Sequence, residues 1–456
     1  MTHAQPTHDV SPYPRSSTAW LMVGLLTVAY IFSYVDRAIL GLLIEPIKRD
    51  LSLTDEQIGW LIGPAFAIFY ATIGLPLGWL VDRKRRTWIV AAGVFVWSLA
   101  TAVSGLARGF WHLFFARMSV GIGEATLSPA AMSMISDSFP PERRGKPVAI
   151  YVAALSLGGG IAALVGSAVL TWAKSSPLIS LPIVGAVAPW QMTFFIVGLP
   201  GLLLAFCFFA IKEPARRTLA IDPSGNLQNG VSDAIKYVGQ NFGTYAGFVS
   251  LACVMTIIAY SQYFMAPAFE RTWGWPAEKY ALVNGLVLLA AGPAAVFLSG
   301  VLSDRWSRAG IAHAPLRLVV IGYLIMLPTA ILPLLMPSAE LAFVILFVNT
   351  AGIGIVSAMA VTSVLAITPA QIRGQVVALY YMAISLSGLF LGPTGVGFLS
   401  TNVFGEDNVK YAIAVLPVIF GTIPLIFIPR TYRAYRAQLA CIEQTQQSTS
   451  NKESVT

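Results

Sequence analysis

From Val148 to Trp172 the chain carries no charged side chain. A helix rises 1.5 Å per residue, so about 20 residues cross the ~30 Å hydrocarbon core of a bilayer, and a run this long and apolar reads as a span. Such runs recur along all 456 residues, beginning near Ala19, Ile58, Trp88, Leu113, Val148, Met192, Gly243, Tyr280, Leu318, Leu341, Val376 and Tyr411. Backbone polar groups in lipid must be satisfied within the segment, which predicts an all-α integral membrane protein with twelve transmembrane helices. A composition of 56% hydrophobic and 11% charged residues agrees. The net charge of +8 calls for no nucleic acid, because Lys and Arg gather in short loops between apolar runs, as they do on the cytoplasmic side of a membrane. Cys207, Cys253 and Cys441 have no spacing suited to a disulfide framework or metal site, so no cofactor or metal is expected. The first residues are polar and contain proline, and the run after them is long enough to span, so no cleaved signal is expected.

An internal repeat divides the chain. GWLVDRKRR at Gly78 returns as GVLSDRWSR at Gly300, 222 residues on, and the RRGKPVAIY loop around Gly145 returns as IRGQVVALY around Gly374, 229 residues on. Two loops repeating in one order at nearly one spacing point to duplication. The expected plan is a disordered cytoplasmic N-terminus (1–18), a six-helix bundle (19–211), a cytoplasmic linker (212–242), a second six-helix bundle (243–429) and a disordered cytoplasmic tail (430–456). The linker holds a DPSGN turn at Asp222 and a surface helix after Ser232. Thr54 with Gln57 three residues on predicts a capping box at the start of the second span. Alternation puts both termini on the side of the basic loops, and the lack of an N-x-[ST] sequon fits a bacterial inner membrane.

Four charges stand well inside predicted spans: Asp36 and Arg37 in the first, Arg117 and Glu124 in the fourth. Arg117 and Glu124 are seven residues apart, which places them on one helix face about 10 Å apart along the axis, with Gly121 between them. Adjacent Asp36 and Arg37 point in different directions and cannot both face one partner. A charge at membrane depth costs at least a few kcal/mol and by default marks an ion or substrate pathway. Arginine contact holds a carboxylate ionised, and loss of that contact lets it take a proton. The expectation is that Glu124 carries the proton with Arg117 as its modulating partner, and that Asp36 and Arg37 form the second pair.

With these residues in view, the chain resembles the major facilitator superfamily over nearly its whole length. Gly78-Trp79-Leu80-Val81-Asp82-Arg83 is similar to the loop motif between helices two and three of that superfamily, although Arg85 stands where the motif usually has glycine. The counterpart from Gly300 to Arg308 is similar to the equivalent loop of the second half. Arg117, Gly121, Gly123 and Ala125 match the fourth-helix motif that the superfamily associates with proton coupling. The stretches DLSLTDEQIGWLIGPAFAIFYATIGLPLG and VGIGEATLSPAAMSMISDSFPPERRG resemble the Spinster branch, whose members are linked to sphingolipid and lysolipid transport. The resemblance implies a monomeric secondary transporter that works by alternating access on protons and a small or lipid-like molecule among membrane lipids. Related organic-anion symporters share much of the GEA…SDSFP stretch, which keeps a small organic anion open as the substrate.

The gate is expected at Gly78, Asp82 and Arg83 and at Asp304 and Arg305, with the aspartates capping a neighbouring helix and the arginines binding acidic partners. The second half brings polar and aromatic cavity candidates: Tyr260, Gln262, Tyr263, Asn284, Asn349, Tyr380 and Tyr381. Charge on one wall only suits an amphiphile with a polar head and an alkyl chain. Gly158, Gly392 and Pro393 are hinge candidates, with close helix packing as the competing reading. Drug/proton antiporters usually carry Gly-Pro in the fifth helix, which is missing here. An ATP-driven pump lacks its G-x-x-x-x-G-K-[ST] loop, and an intramembrane enzyme lacks G-x-S-x-G or H-E-x-x-H. A non-transporting receptor is disfavoured by the repeated gate loops.

Overall fold

A computed structural model describes residues 13–140, 143–175, 179–181, 185–216, 231–369 and 372–453. Among the described residues eleven segments are long and apolar enough to cross a bilayer, from Ser16–Leu42 to Glu406–Cys441. The remaining crossing, fourth in chain order, is built from two helices, Phe110–Glu124 and Leu127–Ser138, each too short to span alone. At their junction the Thr126 hydroxyl donates to the Gly123 carbonyl at 2.8 Å, a local bond that competes with the helix ladder. Gly93 of the third span, Arg86–Ser104, packs so tightly there that a side chain would collide with Thr126. The twelve-helix all-α architecture is therefore present. One small addition interrupts it: Ile179–Leu181 and Gly185–Val187 pair antiparallel between the fifth and sixth spans.

The second span is two helices, Asp55–Ile62 and Pro64–Arg83, where the sequence suggested one. Pro64 has no N–H for the ladder, so the helix restarts at Gly63. The capping box is made as expected: Thr54 N–H donates to Gln57 Oε1 at 3.0 Å, and Gln57 N–H to Thr54 Oγ1 at 3.2 Å.

Three apolar cores organise the molecule. One lies mainly in the first half around Trp97, Val120 and Phe208, with Leu389 of the second half joining it, and one lies within the second half around Phe248, Tyr323 and Val364. The third straddles both halves, joining Leu40, Ile58 and Leu113 to Phe264, Phe269 and Val396. These residues sit at the ends of the spans remote from the chain termini. We call that the distal face and the opposite one the terminal face.

On the terminal face the linker helix Val231–Gln240 and the last helix Val409–Glu453 lie together. Tyr237 donates to the Ile367 carbonyl at 3.0 Å, and Gln438 Nε2 donates to the Tyr237 hydroxyl at 3.1 Å. The tail from Arg430 was expected to be disordered. Instead the twelfth helix runs on through it, because Thr431 and Tyr435 are buried against the second half and the Tyr435 hydroxyl donates to the Ser363 carbonyl at 3.2 Å. At the other end, helix begins at Ser16, inside the stretch expected to be disordered. The DPSGN turn lies outside the described residues.

Candidate functional site

The first span, Ser16–Leu42, presents its two charges in divergent directions, as their adjacency requires. Arg37 reaches the fourth span, where its Nε donates to Glu124 Oε2 at 2.6 Å and its terminal nitrogen pairs with the same oxygen. Ser33, one turn earlier on the same face, donates to that oxygen at 2.7 Å. Asp36 turns instead toward Thr101 of the third span and Arg117 of the fourth. Asp36 is 1% exposed and Glu124 2%.

The pairing therefore differs from the sequence expectation. Arg117 does not hold Glu124; its Nη1 makes a long 3.4 Å contact with the Asp36 backbone carbonyl. Seven residues leave Arg117 and Glu124 about 10 Å apart along one helix, and Arg37 closes on Glu124 from the neighbouring span. Glu124 Oε1, Asp36 Oδ1 and Arg117 Nε are buried with no hydrogen-bond partner. One oxygen of Glu124 is thus saturated while the other is open.

Aromatic rings surround both arginines, in addition to the carboxylate that Arg37 holds. The Arg37 guanidinium lies 4.6 Å from the Phe66 ring centroid, 5.3 Å from Tyr70 and 5.7 Å from Tyr34. Arg117 lies 5.7 Å from the same Phe66 ring, so one phenyl group serves both cations. Gly121 permits this arrangement, since its bare Cα faces the Phe66 backbone.

The second half reaches the cluster through two of its seven candidates. Tyr260 faces Arg37, and its ring stacks on Tyr263 with centroids 6.0 Å apart. Tyr263 packs against Gly41 of the first span, where an added Cβ would lie 2.8 Å from its ring. Gln262 and Asn349 are committed elsewhere: Gln262 Nε2 donates to Asn349 Oδ1 at 2.8 Å, and Asn349 Nδ2 donates to the Met326 carbonyl at 3.0 Å. Both are internal ties of the second half. Tyr380 is buried with an unpartnered hydroxyl, Tyr381 beside it is 45% exposed, and Asn284 is half-buried on the eighth span.

Contacts between the halves are lopsided. Every ion pair described between them lies on the distal face: Arg271 with Asp55 at 2.6 Å and with Glu45 at 2.6 Å, Lys48 with Glu406 at 2.7 Å, Lys174 with Glu278 at 2.7 Å, and Arg49 with Glu270 at 3.5 Å. Asp55 is fully buried and also accepts from Lys48 at 2.5 Å and Ser400 at 2.6 Å. Beneath this rim the second and eleventh spans touch through glycine. A side chain on Gly59 would stand 2.6 Å from the Pro393 carbonyl, and side chains on Gly63 or Gly397 would collide with Leu389 or Asp55.

The gate residues on the terminal face stand apart. Arg83 stacks on Trp79 of its own helix at 4.2 Å, and Gly78 faces open space. Asp304 and Arg305 are exposed and make no ion pair among the described residues. The Asp82 side chain lies outside the described residues. The buried arginine of this loop is Arg86, which donates to Glu213 at 3.0 Å, Ser133 at 2.8 Å and the Pro214 carbonyl at 2.8 Å, and pairs with Asp137. Gly158 packs on the Tyr34 ring and Gly392 on the Ile257 carbonyl, while Pro393 sits inside an unbroken helix, Arg373–Leu399. All three serve close packing here.

Ser33, Phe66 and Tyr70 were missed by the sequence reading, as were Asp55 and Arg271. The spacing of four between Ser33 and Arg37 was a usable signal for a shared helix face; nothing local marked Phe66 or Arg271.

The sequence matches the Major Facilitator Superfamily profile over residues 26–393, with a second match over 248–446. The chain belongs to that superfamily. It is 28% identical to an MFS-type efflux pump of Mycolicibacterium smegmatis over 87% of this chain and 89% of the pump. It is 26% identical to the hexuronate transporter of Bacillus subtilis over 63% of this chain and 65% of that protein. The fold is similar to a bacterial homolog of the human lysosomal transporter Spinster in an inward-facing, unoccupied conformation. The TM-score is 0.80 at 26% identity, covering 93% of this chain and 99% of that one. The chain is accordingly a membrane transporter rather than an enzyme.

Proposed function

We propose that the protein is a proton-coupled carrier of an amphiphilic, lipid-like molecule, with Glu124 as the proton-accepting group and Arg37 as the partner that reads its charge. The observation that carries this reading is the Arg37–Glu124 pair, with one carboxylate oxygen saturated and one open at a point where aromatic residues of both halves meet. A proton on Glu124 removes the charge that Arg37 answers. The guanidinium, still bound to rings that tolerate a cation, then becomes available to an anionic head group. The basic loops support a cytoplasmic terminal face, and on that reading a sealed distal rim, with Asp304 and Arg305 making no ion pair among the described residues, corresponds to an inward-facing carrier.

One wall with fixed charge and aromatic faces, opposite a wall of tyrosines and apolar side chains, suits a polar head joined to an alkyl chain. A small organic anion is the second reading. Arg117, set against the Phe66 ring with its Nε unpartnered, favours it, as does the likeness to the hexuronate transporter.

The test is uptake into proteoliposomes under an imposed pH gradient, comparing lysophospholipid, sphingoid base and hexuronate. Gradient-driven flux of an amphiphile that Glu124→Gln uncouples from pH is the expected result. Unchanged gradient dependence in Glu124→Gln removes the proton assignment, and flux of hexuronate alone selects the second reading.

A further inference from the structure

On the terminal face a cleft of about 520 Å³ opens between the start of the first span, the end of the fourth and the start of the fifth. Trp20 and Phe139 form one wall, ring edge to face with centroids 5.3 Å apart. Arg143, Gly145 and Lys146 form another. A smaller depression beside it shares Pro14, Ala19 and Ser138 with the cleft and adds Lys212. Among the described residues no carboxylate lines either opening. Among the described residues the two nearby acids, Asp137 and Glu213, are engaged by Arg86, and Glu142 lies outside the described residues. Lys146 Nζ lies over the Trp20 ring at 5.7 Å and, like Arg143 and Lys212, has no acidic partner among the described residues.

We propose that this cleft binds the phosphate of an anionic phospholipid from the adjoining leaflet. Three cations gathered with no carboxylate partner among the described residues repel one another, and a phosphodiester is the anion a membrane supplies at that depth. The first turn of the fifth helix, beginning at Gly145, adds the positive end of its dipole to the same opening. Trp20 stands at the start of the first span, the level where indole rings mark the head-group region. Its ring and that of Phe139 offer an apolar wall for the glycerol and the first methylenes of the acyl chains, which free phosphate would leave uncovered. A lipid held there would brace the ends of the first and fourth spans, the two that carry Arg37 and Glu124.

Thermal unfolding of the full-length protein in neutral detergent, with added phosphatidylglycerol, phosphatidylcholine or inorganic phosphate, tests the site. Phosphatidylglycerol is expected to raise the midpoint by about 2 °C or more over phosphatidylcholine. Arg143→Gln with Lys146→Gln abolishes that difference, and the charge-keeping pair Arg143→Lys with Lys146→Arg restores it, which separates lost binding from a damaged fold. Lys236→Gln, on the linker helix, leaves the difference intact. Equal stabilisation by the two lipids, persistence in the double glutamine variant, or an equal effect of inorganic phosphate overturns the lipid assignment.

Discussion

The carbonyl oxygen of Phe66 stands 2.6 Å from the point where a side chain on Gly121 would begin. That close approach sets the second span against the fourth and brings the Phe66 ring between Arg37 and Arg117. Gly121→Ala is expected to push the backbones apart at a cost of about 1–3 kcal/mol and to lower transport severely. Gly74→Ala, whose Cβ meets open space, is expected to leave both thermal stability and uptake near the parent value.

Arg271 is the keystone of the distal rim, bonded to Asp55, to Glu45 and to the Glu406 carbonyl at 2.5 Å. Arg271→Gln leaves Asp55 buried with only Lys48 as a cation, and breaking a buried pair in this way costs about 3–5 kcal/mol. The expected outcome is a shift toward the distal-open form, read as faster labelling of a cysteine at Thr401 by an impermeant maleimide. Adding Asp55→Asn should recover part of the loss, because the uncompensated charge is gone.

Tyr260 carries the second half to Arg37. Loss of one polar contact to a charged group is worth about 1.5–3 kcal/mol. Tyr260→Phe is therefore expected to slow pH-driven uptake about tenfold or more, while Tyr381→Phe, on an exposed surface, leaves it unchanged. Initial rates in proteoliposomes decide between them.

Tyr435 fixes the extension of the twelfth helix. Tyr435→Phe removes its bond to Ser363 and is expected to cost about 1 kcal/mol. Tyr435→Ala empties a fully buried site and is expected to cost about 3–5 kcal/mol. Thermal unfolding that left the alanine variant at the parent midpoint would mean the extension is not docked in solution.

The spans were legible in the sequence because length and apolarity are properties of each segment alone. The four charges were legible for the same reason, since each violates its own surroundings. Their partners were not. Whether Glu124 meets Arg117 or Arg37 depends on how the first and fourth spans rotate against each other, and Arg37 lies 87 positions away. Asp55 and Arg271, 216 positions apart, belong to different halves and meet across the distal face. The basic loop after the second span shows another limit: sequence gives four consecutive basic residues, 83–86, and only packing singles out Arg86 as the buried one. The tail misled for a physical reason, as its arginines suggested solvent while the tyrosines between them were claimed by the second half.

The crowding of inter-half ion pairs onto one rim bears on kinetics. In the proposed alternating-access cycle, facing the other way means breaking the contacts of Arg271, Lys48, Lys174 and Arg49 across this rim. Turnover of this carrier is expected to be paced by the opening of the distal rim, and cargo earns its passage by making that rim easier to part.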